Sequence, residues 1–258
     1  MDRFVEGHLD LQVRISYPQH SNFLLRHGLA ECRRVLDLGT GNGTFAARLA
    51  QDHPRIHFVG IDKRAPCVES AKGRTTGNFD VSQVDVFSRH SAFDFSAFDG
   101  VLMRYFLLHV DHARKILELF QQKSKRPSRF WIIDLDWSQF TCHPPHPSVE
   151  KMTGLVRDFC AKVSPDSRGG QNVLPLLREL EYENVVVEHL PFTHPAIPLE
   201  DLALYLKQEA QCYSRMMGRG PGDTDTAEIV QFFDREFQSG AFAVSYGMVL
   251  ISAELKIN

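Results

Sequence analysis

Short apolar runs alternate with amphipathic stretches along most of this chain, and the period changes at glycines and prolines. Val35, Leu36 and Leu38 form a run of the kind shown by a strand buried on both faces. Phe45, Ala46 and Leu49 then recur on one side of a helix that Pro54 ends. Residues 56–62 read as a second strand, Ala65 to Lys72 as a helix stopped by Gly73 and Gly77, and Phe79 to Val84 as a third strand. Phe98 to Met103 is a fourth strand, followed by a helix from His112 to Gln122 with Asp111 as its cap. Phe130 to Asp136 is a fifth strand, and its end, Asp134 to Trp137, should open on the same cleft as the others. Helices over Val149–Val163 and Asn172–Leu180 precede a sixth strand, Asn184–Leu190. A helix within 195–218, a Gly/Pro/Asp loop, a helix over Thr226–Ser239 and a long strand over Ala241–Leu255 complete the chain.

This alternation predicts an α/β fold, a doubly wound, seven-stranded, mostly parallel sheet. The last strand alternates only in part, as an antiparallel strand inserted into a buried sheet would. Two stretches lie outside the pattern. In residues 1–31 the apolar positions are scattered. Tyr17-Pro18 is expected to break any helix there, and Ser21 to cap a short helix from Asn22 to His27 closed by Gly28. Thr141 to Pro147 reads as a rigid loop. The expected organisation is one domain over 1–258. It comprises an N-terminal helical extension (1–31), a ligand-binding core (34–194), a helical insertion (195–225) and a last helix and strand (226–258).

Composition narrows the function. A net charge of −3 gives no general attraction to nucleic acid or to an anionic membrane. The run Lys123-Ser124-Lys125-Arg126-Pro127 reads as a solvated turn. The five cysteines are far apart and form no C-x-x-C pair, so neither a disulfide framework nor a zinc module is expected, and a cytoplasmic setting is. No apolar run approaches the ~20 residues of a membrane span. Cys142, His143 and His146 are metal-ligand types but lack a fourth partner, so no metal is expected.

The chemistry sits where the first strand ends. Gly39, Gly41 and Gly43 permit a tight turn into a helix start, where free backbone N–H groups face outward. The spacing is G-x-G-x-G, with Thr44 where a dinucleotide fingerprint needs its third glycine. Asp37, two residues before the first glycine, would repel a pyrophosphate and suits an ammonium group. Asp62 follows the last glycine by one helix and one returning strand, where a carboxylate accepts from both hydroxyls of a free ribose. Lys63 and Arg64 beside it keep an NADP reading open, against the glycine spacing.

The set Asp37-x-Gly39-x-Gly41-x-Gly43 resembles the first motif of the class I S-adenosylmethionine-dependent methyltransferases. "FDGVLMRYFLLHV" (98–110) is similar to that family's segment past the fourth strand. The resemblance covers 34–137 by motif and 170–255 by pattern. It implies a Rossmann-like fold, S-adenosylmethionine as cofactor, and helical additions acting as a lid over the acceptor. It places Asp37 and the loop Gly39, Thr40, Gly41, Asn42 and Gly43 near the methionine end, with Asp62 and Lys63 at the ribose. It also places Asp85 at the adenine amino group, with Val86 and Phe87 against the ring. Arg104 should point into the cleft, toward an acidic acceptor or the cofactor carboxylate. His109, His143 and His146 are candidate bases, and Tyr17 and His20 weaker acceptor contacts. A small-molecule O, N or S acceptor is expected, because no basic footprint and no Asn-Pro-Pro-Tyr-type nucleobase signature is present. A protein or RNA methyltransferase, a non-catalytic cofactor-binding subunit and a homodimer stay open.

Overall fold

The computed structural model describes residues 2–88, 93–124, 128–165, 170, 172–220 and 222–255. The chain opens with one long helix, α1 (Arg3–Arg26), then enters the alternating core: β1 (Arg34–Leu38), α2 (Thr44–Asp52), β2 (His57–Asp62), α3 (Ala65–Lys72), β3 (Phe79–Gln83), β4 (Gly100–Arg104), α4 (Ala113–Lys123) and β5 (Ser128–Leu135). A short β6 (Thr141–His143), α5 (Pro147–Val163), α6 (Val173–Glu179), β7 (Glu183–Thr193), α7 (Leu199–Met216), α8 (Thr224–Gln231) and β8 (Ala243–Leu255) follow.

The strands form one sheet in the order β3-β2-β1-β4-β5-β8, with β7 on the far side of β8. β1 to β5 run parallel, and β8 is antiparallel to its neighbours. Ser245 faces Thr141 on one side and Thr193 on the other, while Met248 faces Leu135 and Leu190. The short β6 therefore continues the line of β5 along the same edge of β8, past a break at Gly247. A Cβ on Gly247 would lie 2.1 Å from the Cβ of Gln139, so the chain can pass there only without a side chain. The strand order reverses between β1 and β4, which opens a crevice at their carboxyl ends.

Strand alternation divides the core. Trp131, Ile133 and Leu135 face the side covered by α1, α2, α5, α7 and α8, while Phe130 and Ile132 face the side covered by α4 and α6. Asp134 is buried within this strand instead of opening on the cleft. It accepts hydrogen bonds from the backbone N–H of Leu108 (3.0 Å) and of Leu135 (2.8 Å), so it fixes the turn Leu107–His109 after β4.

Several expectations need correction. Residues 3–26 are one continuous helix, not a broken arm with a short helix from Asn22. Pro18 stands inside it on the solvent side, while Leu11, Ile15, Phe23 and Leu24 are buried. The tertiary burial of that face outweighs the lost backbone hydrogen bond. Because Pro18 is exposed, Pro18→Ala should raise stability by about 1–3 kcal/mol, measured by denaturant unfolding; an unchanged midpoint would show the bend is required. Thr141–His143 pairs as β6 instead of forming a loop throughout. α4 is capped by the backbone of His112 and not by Asp111. The helix expected over 226–239 starts at Thr224 and gives way to a π turn, Phe232–Glu236, and a 3-10 turn, Phe237–Ser239. Phe232, Phe233 and Phe237 are all buried, and the change of pitch brings all three to the core. Residues 125–127 of the basic turn lie outside the described residues. Among the described residues no helix is long and apolar enough to cross a membrane.

Candidate functional site

The crevice at the carboxyl ends of β1–β4 is closed over by α1 and α7 to leave a cavity of about 420 Å³. That is within the ~300–1,000 Å³ typical of small-molecule sites. The loop after β1 forms its floor. Gly39 and Gly41 have φ of +79° and +59°, a left-handed conformation that side chains resist. A Cβ on Gly39 would also lie 2.5 Å from the Phe106 ring. The loop is braced from behind and from above. Thr40 Oγ1 donates to Asp37 Oδ2 (2.7 Å). Asn42 Nδ2 (2.8 Å) and Thr44 Oγ1 (2.6 Å) both donate to Asp10 Oδ1 on α1.

Asp62, at the end of β2, accepts from the backbone N–H of Gly41 on one oxygen (3.2 Å) and of Arg64 on the other (2.8 Å). The Gly41-bonded oxygen keeps a lone pair, the other also accepts from Arg64 Nε (3.4 Å), and Asp62 is on the cavity wall. Lys63 lies beside it. Past β3, Asp85 is exposed, and Val86 and Phe87 are on the same wall, with the Phe87 ring edge-on to His112. The loop residues Gly39, Thr40, Gly41 and Asn42 are joined there by Arg104 and His109.

The structure does not bring every sequence candidate to this cavity. Asp37 is behind the loop, where burial raises its pKa to about 6 against the opposing Thr40 hydrogen bond and the Arg104 charge. Gly43 starts α2, and a Cβ there would lie 2.9 Å from Ala71 Cβ. His143 is on β6, and His146 caps α5 through Ser148 N (3.2 Å), stacks on Phe232 and pairs with Glu236. Neither reaches the cavity, because the segment after β5 is drawn along β8. Cys142 Sγ donates to the Pro144 carbonyl, and among the described residues no group of three metal-ligand side chains converges. Tyr17 is engaged by Asp52, and His20 is buried behind Arg104.

Arg104 is a cation inside the protein. Its Nε donates to His20 Nδ1 (3.3 Å) and its Nη2 to Ser16 Oγ (3.2 Å), and its guanidinium stacks on Phe45 and Tyr105. Both hydrogen-bonding partners are neutral, since burial, helped by the Arg104 charge, holds the His20 pKa well below its usual range. Tyr105 turns the chain after β4 at φ +50°, a conformation that costs a non-glycine residue energy and occurs often at functional sites. His109 is exposed to the cavity while its ring packs edge-on to Phe159. Burial, with the Arg64 charge, lowers its pKa to about 4, so it is neutral at neutral pH.

Sequence reading expected helical additions over the cleft but singled out none of the roof's residues as site residues. α1 contributes Val5, His8, Leu9 and Gln12, and α7 contributes Glu209, Cys212, Tyr213 and Met216. His8 and Gln12 are one helical turn apart, a signal that the expected break at Pro18 obscured. The Asp10 bonds join this roof to the glycine loop. Asp10→Ala should therefore weaken nucleoside binding by about 1–2 kcal/mol, roughly 5- to 30-fold, in calorimetric titration. Unchanged affinity would show that the loop stands without the roof.

A family profile described as a methyltransferase domain matches residues 30–184, more than half of the chain. The chain belongs to this methyltransferase family. It is similar to the tRNA (guanine-N(7)-)-methyltransferase of Mycoplasmopsis agalactiae, 28% identical over 101 residues, 36% of this chain and 45% of the relative. It is also similar to the demethylmenaquinone methyltransferase of Thermotoga maritima, 25% identical over 138 residues, 53% of this chain and 55% of the relative. The chain thus spans about half the length of the curated relatives it matches. The fold is shared with a SAM-dependent methyltransferase from Archaeoglobus fulgidus, at a TM-score of 0.54 and 15% identity, covering 94% of each chain. The family's methyl donor is S-adenosylmethionine. The residues on the cavity wall suit it: a diol-accepting carboxylate at Asp62, an open carboxylate at Asp85 beside apolar Val86 and Phe87, and a glycine floor that admits close approach.

Proposed function

We propose that this chain transfers the methyl group of S-adenosylmethionine to a small-molecule acceptor. The observation that carries the reading is the roofed cavity, in which the carboxyl ends of β1–β4 and the inner faces of α1 and α7 meet around about 420 Å³. Asp62 would accept from the ribose hydroxyls and Asp85 from the adenine amino group, with Val86 and Phe87 against the ring. Gly39 to Asn42 would lie beneath the methionine end, and Arg104 would face its carboxylate. Bound there, S-adenosylmethionine supplies a methyl group already activated by its sulfonium charge.

The chain's own contribution is then positioning and exclusion of water. Holding an acceptor in line replaces a bimolecular encounter with a near-unimolecular one, worth up to ~7–11 kcal/mol of barrier. Neutral His109 can hold or relay a proton leaving the acceptor. A nucleic-acid or protein acceptor would need an open groove, and the two helices over the crevice argue against one. Isothermal calorimetry with S-adenosylhomocysteine tests the reading. Saturable binding at one site per chain is expected, followed by release of S-adenosylhomocysteine when acceptor and donor are supplied together. No binding to the intact protein would overturn it.

A further inference from the structure

Deep in the roof lies an ion pair that the binding of a nucleoside does not explain. Glu209 on α7 is 4% exposed and is on the cavity wall. Its Oε1 lies 3.3 Å from His8 Nε2, and the other ring nitrogen, His8 Nδ1, lies 3.3 Å from Gln208 Oε1. Both nitrogens of His8 thus face acceptors, which fits an imidazolium donating from each. The ring also stacks on Tyr205, with centroids 5.5 Å apart. One turn along α1, Gln12 is 5% exposed and on the same wall, and its side-chain carbonyl has no hydrogen-bond partner among the described residues. A buried carbonyl left in this state costs about 1–3 kcal/mol.

We propose that the acceptor is a primary amine, held through its two N–H groups by the Glu209 carboxylate and the Gln12 carbonyl. The proposal rests on the methyl-transfer reading and names the acceptor class of that same cavity. Two acceptor groups lining one cavity match the two N–H bonds of a primary amine better than the single O–H of an alcohol. The positive charge of His8 balances Glu209, so the pair selects a neutral amine with a free lone pair over an ammonium, which has none. An alcohol would also need a strong base. Of the two cavity histidines, His8 is paired with Glu209, and His109, its pKa lowered to about 4 mainly by burial, is a weak one. Arg104 is committed to Ser16, His20 and two aromatic faces, and only its charge is felt at His8.

The bookkeeping of the step is simple. The nitrogen lone pair forms the new N–C bond as the donor's C–S bond breaks. The bonding pair stays on sulfur, which becomes a neutral thioether. The nitrogen keeps its two hydrogens and the new methyl group, and the product leaves as the methylammonium, whose proton exchanges with bulk solvent. Glu209 and Gln12 keep their hydrogen bonds to nitrogen and so aim its lone pair.

Matched amine–alcohol pairs test this on the protein saturated with S-adenosylhomocysteine: 2-phenylethylamine with 2-phenylethanol, tryptamine with tryptophol, and hexylamine with hexanol. Amines are expected to bind at least about tenfold more tightly than their alcohols and to be methylated when S-adenosylmethionine replaces the product. Glu209→Gln keeps the size of the side chain and should erase most of that preference. Gln12→Met should reduce it about threefold, and both variants should bind S-adenosylhomocysteine as the parent does. Alcohols binding as well as amines, an undiminished preference in both variants, or no binding by any member would overturn the amine assignment while S-adenosylhomocysteine still binds. Failure of S-adenosylhomocysteine itself to bind would instead overturn the methyl-transfer reading.

Discussion

Asp62→Ala is expected to weaken S-adenosylhomocysteine binding by a factor of about 10²–10³. A carboxylate that accepts two ribose hydroxyls contributes two hydrogen bonds to a charged group, each worth about 1.5–3 kcal/mol. The substitution also strips the partner from the backbone N–H groups of Gly41 and Arg64, which Asp62 now holds at 3.2 and 2.8 Å. Gly41 belongs to the glycine floor, so its release loosens the surface on which the methionine end would lie. A loss of about 3–4 kcal/mol follows, at 1.4 kcal/mol per tenfold change. Asp62→Asn keeps one acceptor oxygen and the side-chain volume, and should cost about tenfold. Calorimetric titration of the three proteins reads the effect directly. An alanine variant that binds within threefold of the parent would remove Asp62 from the ribose site.

His8→Leu should lower stability by about 3 kcal/mol, because breaking a buried pair leaves Glu209 without its compensating charge. At about 2–4 °C per kcal/mol for a chain of this size, the unfolding midpoint should fall by roughly 6–12 °C. The effect should depend on pH. Burial opposes charge on His8, but the Glu209 hydrogen bond and charge outweigh it, so the His8 pKa stands above its usual range. Burial likewise opposes charge on Glu209, but the His8 hydrogen bond and charge together with the Tyr205 and Tyr213 hydroxyls outweigh it, so the Glu209 pKa stands below its usual range. A raised histidine contributes stability that is complete below its unfolded pKa of ~6.5 and is lost as pH rises through the folded value. A lowered carboxylate contributes stability that is complete above its unfolded pKa of ~4.3 and is lost as pH falls through the folded value. The gap in midpoint between parent and variant should therefore be widest near pH 5.5–6.5 and should narrow toward pH 9. A gap that does not change with pH would mean the pair is not ionised.

The alternating core was legible because each signal there is local. Val35, Leu36 and Leu38 are apolar in a row since β1 is buried on both faces. Gly39 and Gly41 announce a left-handed turn because side chains resist positive φ. Asp62 falls where one helix and one return strand must bring it, whatever the helix is made of. These features place the floor and one wall of the cavity, and the partly alternating pattern of residues 241–255 announced the antiparallel strand between β5 and β7.

Which residues form the roof was decided by tertiary structure alone. Pro18 carries a strong local signal for a break, yet α1 runs through it, because Leu11, Ile15, Phe23 and Leu24 bury a face that no short helix would cover. His8 and Glu209 are two hundred residues apart, and nothing in either neighbourhood marks one as the partner of the other. Asp10 reaches Asn42 and Thr44 only once α1 lies across the glycine loop. His143 and His146 read as cleft residues by their position after the fifth strand. The pairing of Thr141–His143 with β8 carries them elsewhere. Periodicity and turn chemistry act over a few residues and wrote the sheet and its loop into the chain. Which distant faces close over that loop depends on the burial of whole helices, a sum over contacts that no stretch of the sequence contains.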